Sequence, residues 1–201
     1  MKFLINLNLL LITALVANPQ SKAYFPVMIG KTAKTNFSFI EKWAYPWYVI
    51  KQAGDKFENT FGNKISKTDT LHLYFTANCK TNVQGGYTLK YCYAVKNKTG
   101  IISLNFADGL PAYANEYHIY IQNNKYCFEP KLIYADVVAG QKKTYRIVKS
   151  KLIFNQEDYN TAKSLSGYID TEFTETITEP TKKPLNNTYY FRGYFKTKIK
   201  S

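Results

Sequence analysis

Leu71, Leu73, Phe75, Ala77 and Cys79 stand at every second position, and His72, Tyr74, Thr76 and Asn78 fill the places between them. A period of two sends successive side chains to opposite faces of an extended chain, which is the pattern of a half-buried strand. Ile102, Leu104 and Phe106 repeat it, as do Tyr117, Ile119 and Ile121. Near the end, Tyr189, Phe191 and Phe195 oppose Tyr190, Arg192, Tyr194 and Lys196. About eight such runs lie between Trp47 and Lys198, divided by turn formers such as Gly85-Gly86, Lys98-Thr99-Gly100, Asp108-Gly109 and Asn123-Asn124. Short strands at this spacing predict an all-β domain, closed as a barrel or stacked as a sandwich.

One segment departs from the alternation. Asn155 suits a helix N-cap, Glu157 and Asp158 put negative charge in the first turn, and Phe154 and Tyr159 hold the two places of a hydrophobic staple. With Gly167 as the stop, these signals predict a late α-helix over Gln156–Ser166, with Tyr159, Ala162 and Leu165 as its modest apolar face. The Thr/Glu-rich stretch from Asp170 to Pro184 then reads as an extended crossing over the surface, followed by one final strand.

The first residues change the picture of where the domain works. Met1-Lys2 is followed by an apolar run from Phe3 to Val16, too short for a comfortable membrane span, and Ser21-Lys22-Ala23 offers small residues where a signal peptidase reads. This predicts a signal peptide over residues 1–23 and a single domain over 24–201, secreted to extracellular fluid, a vacuole or a parasite-made (parasitophorous) lumen. No later segment is long and apolar enough for a transmembrane span. The full chain of 201 residues carries a formal charge of +13. Removal of Lys2 and Lys22 with no acid lowers it to +11 (13 − 2). The lysines are scattered, with no like-charge block and no nucleic-acid motif, so the charge reads as a solvated basic surface and nucleic acid is not expected as a partner. Three sequons, at Asn36, Asn97 and Asn186, would permit glycosylation in a host that performs it.

Three cysteines remain in the domain: Cys79, Cys92 and Cys127. If Gly85 and Gly86 are the centre of a two-residue hairpin turn, Gln84 faces Tyr87 and, counting outward, Cys79 faces Cys92 in a non-hydrogen-bonded pair. The separation of about 4.5 Å between Cα atoms in such a pair lies within disulfide range, and an oxidising lumen favours the bridge. Cys127 is left over as a buried thiol, an intermolecular link or the true partner of one of the other two. No metal-ligand spacing is present, and His72 and His118 read as strand residues.

Residues 36–50 carry a more specific signal. Asn36-Phe37, Lys42-Trp43 and Trp47-Tyr48 resemble the N-terminal motif of the lipocalin family, in which an Asn-Phe pair and a Lys-aromatic pair lead into Gly-x-Trp-Tyr at the start of the first strand. Tyr45 stands where the family has its glycine, and the family's later arginine has no clear counterpart, Lys149, Lys151 and Arg192 being the nearest candidates. The resemblance implies an eight-stranded antiparallel up-and-down barrel with one late α-helix and a final strand, the last strand pairing with the first. It implies that Trp47 plugs the closed end. It also implies carriage or sequestration of a small hydrophobic ligand such as a lipid, a tetrapyrrole or haem, with Leu73, Phe75, Tyr117 and Ile119 lining the cavity beside Trp47. No resident cofactor is expected.

Two other classes compete. A secreted β-barrel interaction protein would fill its interior with side chains and act through its outer surface or an oligomer interface, and lipocalins themselves often form homo-oligomers. An enzyme would need an activated nucleophile, but the spare thiol of Cys127 has no identifiable base beside it and neither histidine lies near a Ser or Cys motif, so catalysis is not expected.

Overall fold

The computed structural model describes residues 22–30, 76–107, 115–134 and 138–200, together with the backbone of two short paired strands, β2 (Val49–Lys51) and β3 (Phe57–Asn59). Trp47, Leu73, Phe75 and the whole motif at 36–48 lie outside the described residues. The remaining strands are β1 (Phe25–Ile29), β4 (Ala77–Thr81), β5 (Tyr87–Leu89), β6 (Tyr91–Lys96), β7 (Ile102–Ala107), β8 (Glu116–Gln122), β9 (Lys125–Lys131), β10 (Lys142–Phe154), β11 (Ser164–Glu179) and β12 (Lys182–Lys200). They form one ten-stranded sheet in the order β11-β10-β1-β9-β8-β7-β6-β12-β4-β5. Because β11 also pairs with β12, eight of the ten close into a ring, and the β4–β5 hairpin is attached outside the ring at β12. Among the described residues no helix is long and apolar enough to cross a membrane.

The all-β class is therefore as expected, and eight strands do close a ring, but the ring is not a simple up-and-down barrel. Two of its joints are parallel. β1 pairs antiparallel with β9 and parallel with β10, and the end of β12 pairs parallel with β6 through Ile199↔Ala94 and Lys200↔Val95. The last strand joins β11, β4 and β6 rather than the first strand. Parallel neighbours need long crossovers, which β1 and β10, far apart in the chain, supply.

There is no late helix. Residues 157–161 form a turn held by Thr161 N–H and Ala162 N–H donating to the Asp158 carbonyl at 3.0 and 3.2 Å. Asn155 does not cap. Its backbone and side-chain amides donate across the turn to Ser166 at 3.0 and 3.1 Å, so it ties β10 to β11. The residues of the expected staple do meet, with the rings of Phe154 and Tyr159 4.8 Å apart, but they plug the hairpin end. The physical reason lies downstream. Leu165, Gly167, Ile169, Thr171, Phe173 and Glu175 alternate inward along β11, so the segment satisfies its backbone in a ladder instead of nucleating a short helix, which is costly. The same alternation corrects the expected surface crossing at Asp170–Pro184, which is instead most of β11, a turn at Pro180-Thr181 and the start of β12. Threonine is a good strand former, and the prolines stand at the turn and near the start of β12, where the ladder shifts register.

The glycine hairpin is also different. Five residues, 82–86, connect Thr81 to Tyr87, with a 3-10 turn at Val83–Gly85 and Gly86 at a φ of 90°. Cys79 consequently faces Leu89, and Cys92 lies beside Thr76, whose hydroxyl accepts its N–H at 2.7 Å. The register on which a Cys79–Cys92 bridge was counted is displaced by three residues, and all three cysteines are buried.

The inner positions of β6–β9 meet those of β4 and β10–β12 in one core. Ile102, Leu104, Phe106, Tyr117, Ile119, Phe128, Phe173, Phe191 and Phe195 belong to it, each at most 4% exposed. Two glycines let the long strands pack this closely. A Cβ on Gly167 would lie 3.0 Å from the Phe195 ring and closer still to the Ile153 carbonyl, so the bare backbone leaves room for that ring. Gly193 faces Ile169 on one side and Cys79 on the other, at a joint of three strands.

Candidate functional site

Of the residues expected to line a ligand cavity, the structure describes Tyr117 and Ile119, and both point inward with 0% exposure. Tyr117 is enclosed by rings. Phe191 stacks on it at 4.2 Å, Phe128 lies at 5.8 Å and Phe173 meets it edge-on at 6.2 Å. Phe106 closes the group, meeting Phe191 and Phe195 at 5.1 and 5.4 Å. These are the offset and edge-to-face distances of well-packed aromatic pairs.

Where the rings end, a polar layer begins. The Tyr117 hydroxyl bonds Thr81 Oγ1 at 2.9 Å and also Tyr87. Tyr87 in turn accepts from Asn115 Nδ2 at 2.7 Å, and Asn115 Oδ1 accepts the Ile133 N–H at 2.7 Å. Beside this chain sits Glu175, a carboxylate with 0% exposure on β11. Tyr134 donates to its Oε2 at 2.6 Å and Tyr145 to its Oε1 at 3.3 Å, while Tyr189 stands beside Tyr134. The Lys143 ammonium lies 3.7 Å over the Tyr134 ring. A buried carboxylate is costly without donors, and here two hydroxyls supply them. The cluster joins the segment after β9 to β10, β11 and β12. Reading residues 170–184 as a surface crossing hid it. The available signal was the shared parity of Ile169, Thr171, Phe173 and Glu175.

This layer sets a pH dependence. Burial, and next the Glu175 carboxylate that Tyr134 and Tyr145 bond, pushes both hydroxyls up, and burial does the same to Tyr117 and takes Tyr126 to about 12. The unfolded chain releases these protons near pH 10, whereas the folded chain keeps them. The native state then binds more protons, so stability falls as pH rises above about 10. Absorbance at 295 nm during a slow alkaline titration should show part of the 18 tyrosines ionising only together with loss of the far-ultraviolet circular dichroism. Ionisation of every tyrosine while the fold persists would contradict this reading of the layer.

The outward positions carry charge unevenly. On the wall made by β10, β11, β12 and β4, strand β10 presents Lys142, Arg146, Lys149 and Lys151. β12 adds Arg192, Lys196 and Lys198, and β4 adds Lys80. Asp170 and Glu172 are the acids at outward positions among them. Lys149 pairs with Glu172 at 2.8 Å and holds it below the usual carboxylate range. Arg192 reaches Glu172 at 3.2 Å and Asp170 at 3.5 Å, and lies 4.3 Å over the Tyr190 ring. The nearest candidates for the family arginine thus share this outer face. On the opposite wall Lys125 is exposed, and the other charges of β8 and β9 are paired. Lys131 and His118 meet Glu116 at 3.1 and 2.9 Å, and Lys22 pairs with Glu129. Among the described residues no group of three or more His, Cys, Asp or Glu side chains is placed to hold a metal.

The chain matches no protein-family model, no curated protein and no solved structure.

Proposed function

We propose that this chain is a secreted, non-catalytic binding protein that acts through its outer surface. One observation supports this above the others: the inward positions of the ring are taken up by interlocking rings, with Tyr117 and Phe191 stacked at 4.2 Å and Phe106 set edge-on against Phe191 and Phe195. Haem, a tetrapyrrole or a lipid carried inside would have to displace them, at a cost of several kcal/mol of packing. An outer surface that differs from wall to wall is left as the variable part of the molecule. The proposed cleavage after Ala23 leaves β1 whole, since that strand begins at Phe25.

Native mass spectrometry of the chain purified from its natural source tests the proposal. The expected spectrum is that of the apo mass, with no saturable one-to-one binding of added haem or fatty acid. A co-purifying small molecule of defined mass would overturn the surface reading and restore carriage of a hydrophobic ligand.

A further inference from the structure

We infer that the outer face of the β10–β11–β12–β4 wall is a docking surface for an extended acidic polysaccharide, one bearing sulfate or carboxylate groups. This inference rests on the surface-binding reading above and names the partner class for it.

The charges are scattered in sequence and gathered in space. Strand alternation, with a β-bulge between Ile147 and Lys149 that switches its parity, brings Lys142, Arg146, Lys149 and Lys151 to one face of β10. The ladder then places Lys151, Asp170, Arg192 and Lys80 in a single row across four strands. At about 3.3 Å per residue, Lys142 and Lys151 are some 30 Å apart along the strand, and the row spans about 14 Å across it. Cations spaced over such lengths suit repeated anions on a polymer better than one small anion. The eight basic side chains on this wall stand against two acids, whereas on β8 and β9 of the other wall Lys125 and Lys131 stand against Glu116 and Glu129.

What lies between the cations points to sugar. Thr144, Thr174, Thr176 and Thr188 project hydroxyls on this face, and Thr176 donates to the Asn186 side chain at 2.7 Å. Tyr168 and Tyr194, with ring centres 4.9 Å apart, offer aromatic surface for pyranose rings. Asp170 and Glu172 sit in the middle of the face, where sugar hydroxyls can donate to them.

The test uses the full mature chain. Heparin and polygalacturonate serve as sulfated and uronate probes, with dextran, duplex DNA and phosphatidylglycerol vesicles alongside. Lys142→Gln/Arg146→Gln/Lys151→Gln removes three exposed cations from the face, and Lys98→Gln/Lys125→Gln/Lys131→Gln removes three exposed cations elsewhere. Near-ultraviolet circular dichroism checks that both retain the fold. The expected result is binding of at least one acidic polysaccharide at physiological salt, weakened by added salt, lowered about tenfold or more by the first triple variant and little changed by the second. Absence of binding to both acidic polysaccharides, equal losses in the two variants, or binding to DNA or vesicles as tight as to either polysaccharide would each overturn the inference. An apo native mass combined with no polysaccharide binding removes this inference alone, whereas a bound cargo removes the reading beneath it.

Discussion

Gly193→Ala is expected to lower the urea midpoint of unfolding by the equivalent of more than about 3 kcal/mol, a large fraction of the roughly 5–15 kcal/mol that holds a domain folded. A Cβ at this position would stand 2.5 Å from Cys79 Cα and nearer still to the Asn78 carbonyl oxygen, both of them backbone atoms. Relief would require β12 to move, but Gly193 is in register with Ile169 of β11 and with Cys79 of β4, so a shift that frees one ladder strains the other. Gly167→Ala should be severe for the same reason, because the obstacle is the backbone of Ile153. Gly100→Ala is the control. Its φ of 82° makes alanine costly by about 1 kcal/mol, but nothing lies within 4 Å of its Cβ. If Gly193→Ala unfolds within about 1 kcal/mol of the parent, with an unchanged denaturant slope, the triple-strand joint is not as close as described.

Phe191→Ala should cost about 3–5 kcal/mol, the range for emptying a large aromatic from a core. Its ring contacts Phe106 at 5.1 Å, Tyr117 at 4.2 Å and Phe128 at 5.9 Å, so neighbours on three strands lose a partner at once. Tyr194→Ala, three residues on and 37% exposed, should change stability by no more than about 0.5 kcal/mol. Thermal or urea unfolding of the pair measures the contrast. Equal effects would mean that the ring interior is loosely filled, and would weaken the argument against a cargo inside it.

The two variants bear on how much was legible beforehand. The alternation at Ile102–Phe106, Tyr117–Ile121 and Tyr189–Phe195 reads directly as strands, and in each the apolar parity is the inward one. Which of the two faces points inward was not legible there, and it is the structure that buries Tyr117 and Ile119. The errors share a cause. Asn155, Glu157 and the Phe154–Tyr159 pair are sound helix-start signals locally, yet the inward alternation of β11 begins at Leu165 and competes for the same residues. Two neighbouring glycines suggested the shortest hairpin, but a five-residue connection displaced the cysteine register by three. The Glu175 cluster could not be found from spacing, because Tyr134, Tyr145, Glu175 and Tyr189 are distant in the chain and meet only through the β10–β11–β12 ladders.

The sequence by itself determined that this is a β protein, where its clearest strands alternate between apolar and polar positions, and that its charge is strongly basic. Period-two patterning is local, and one buried face is enough to specify it. Tertiary structure decided what no local pattern encodes: the parallel joints that close the ring, the buried carboxylate that its tyrosines hold, and the gathering of scattered lysines on one wall. Each of these depends on which strands become neighbours and in what register, a choice made by the packing of the whole core.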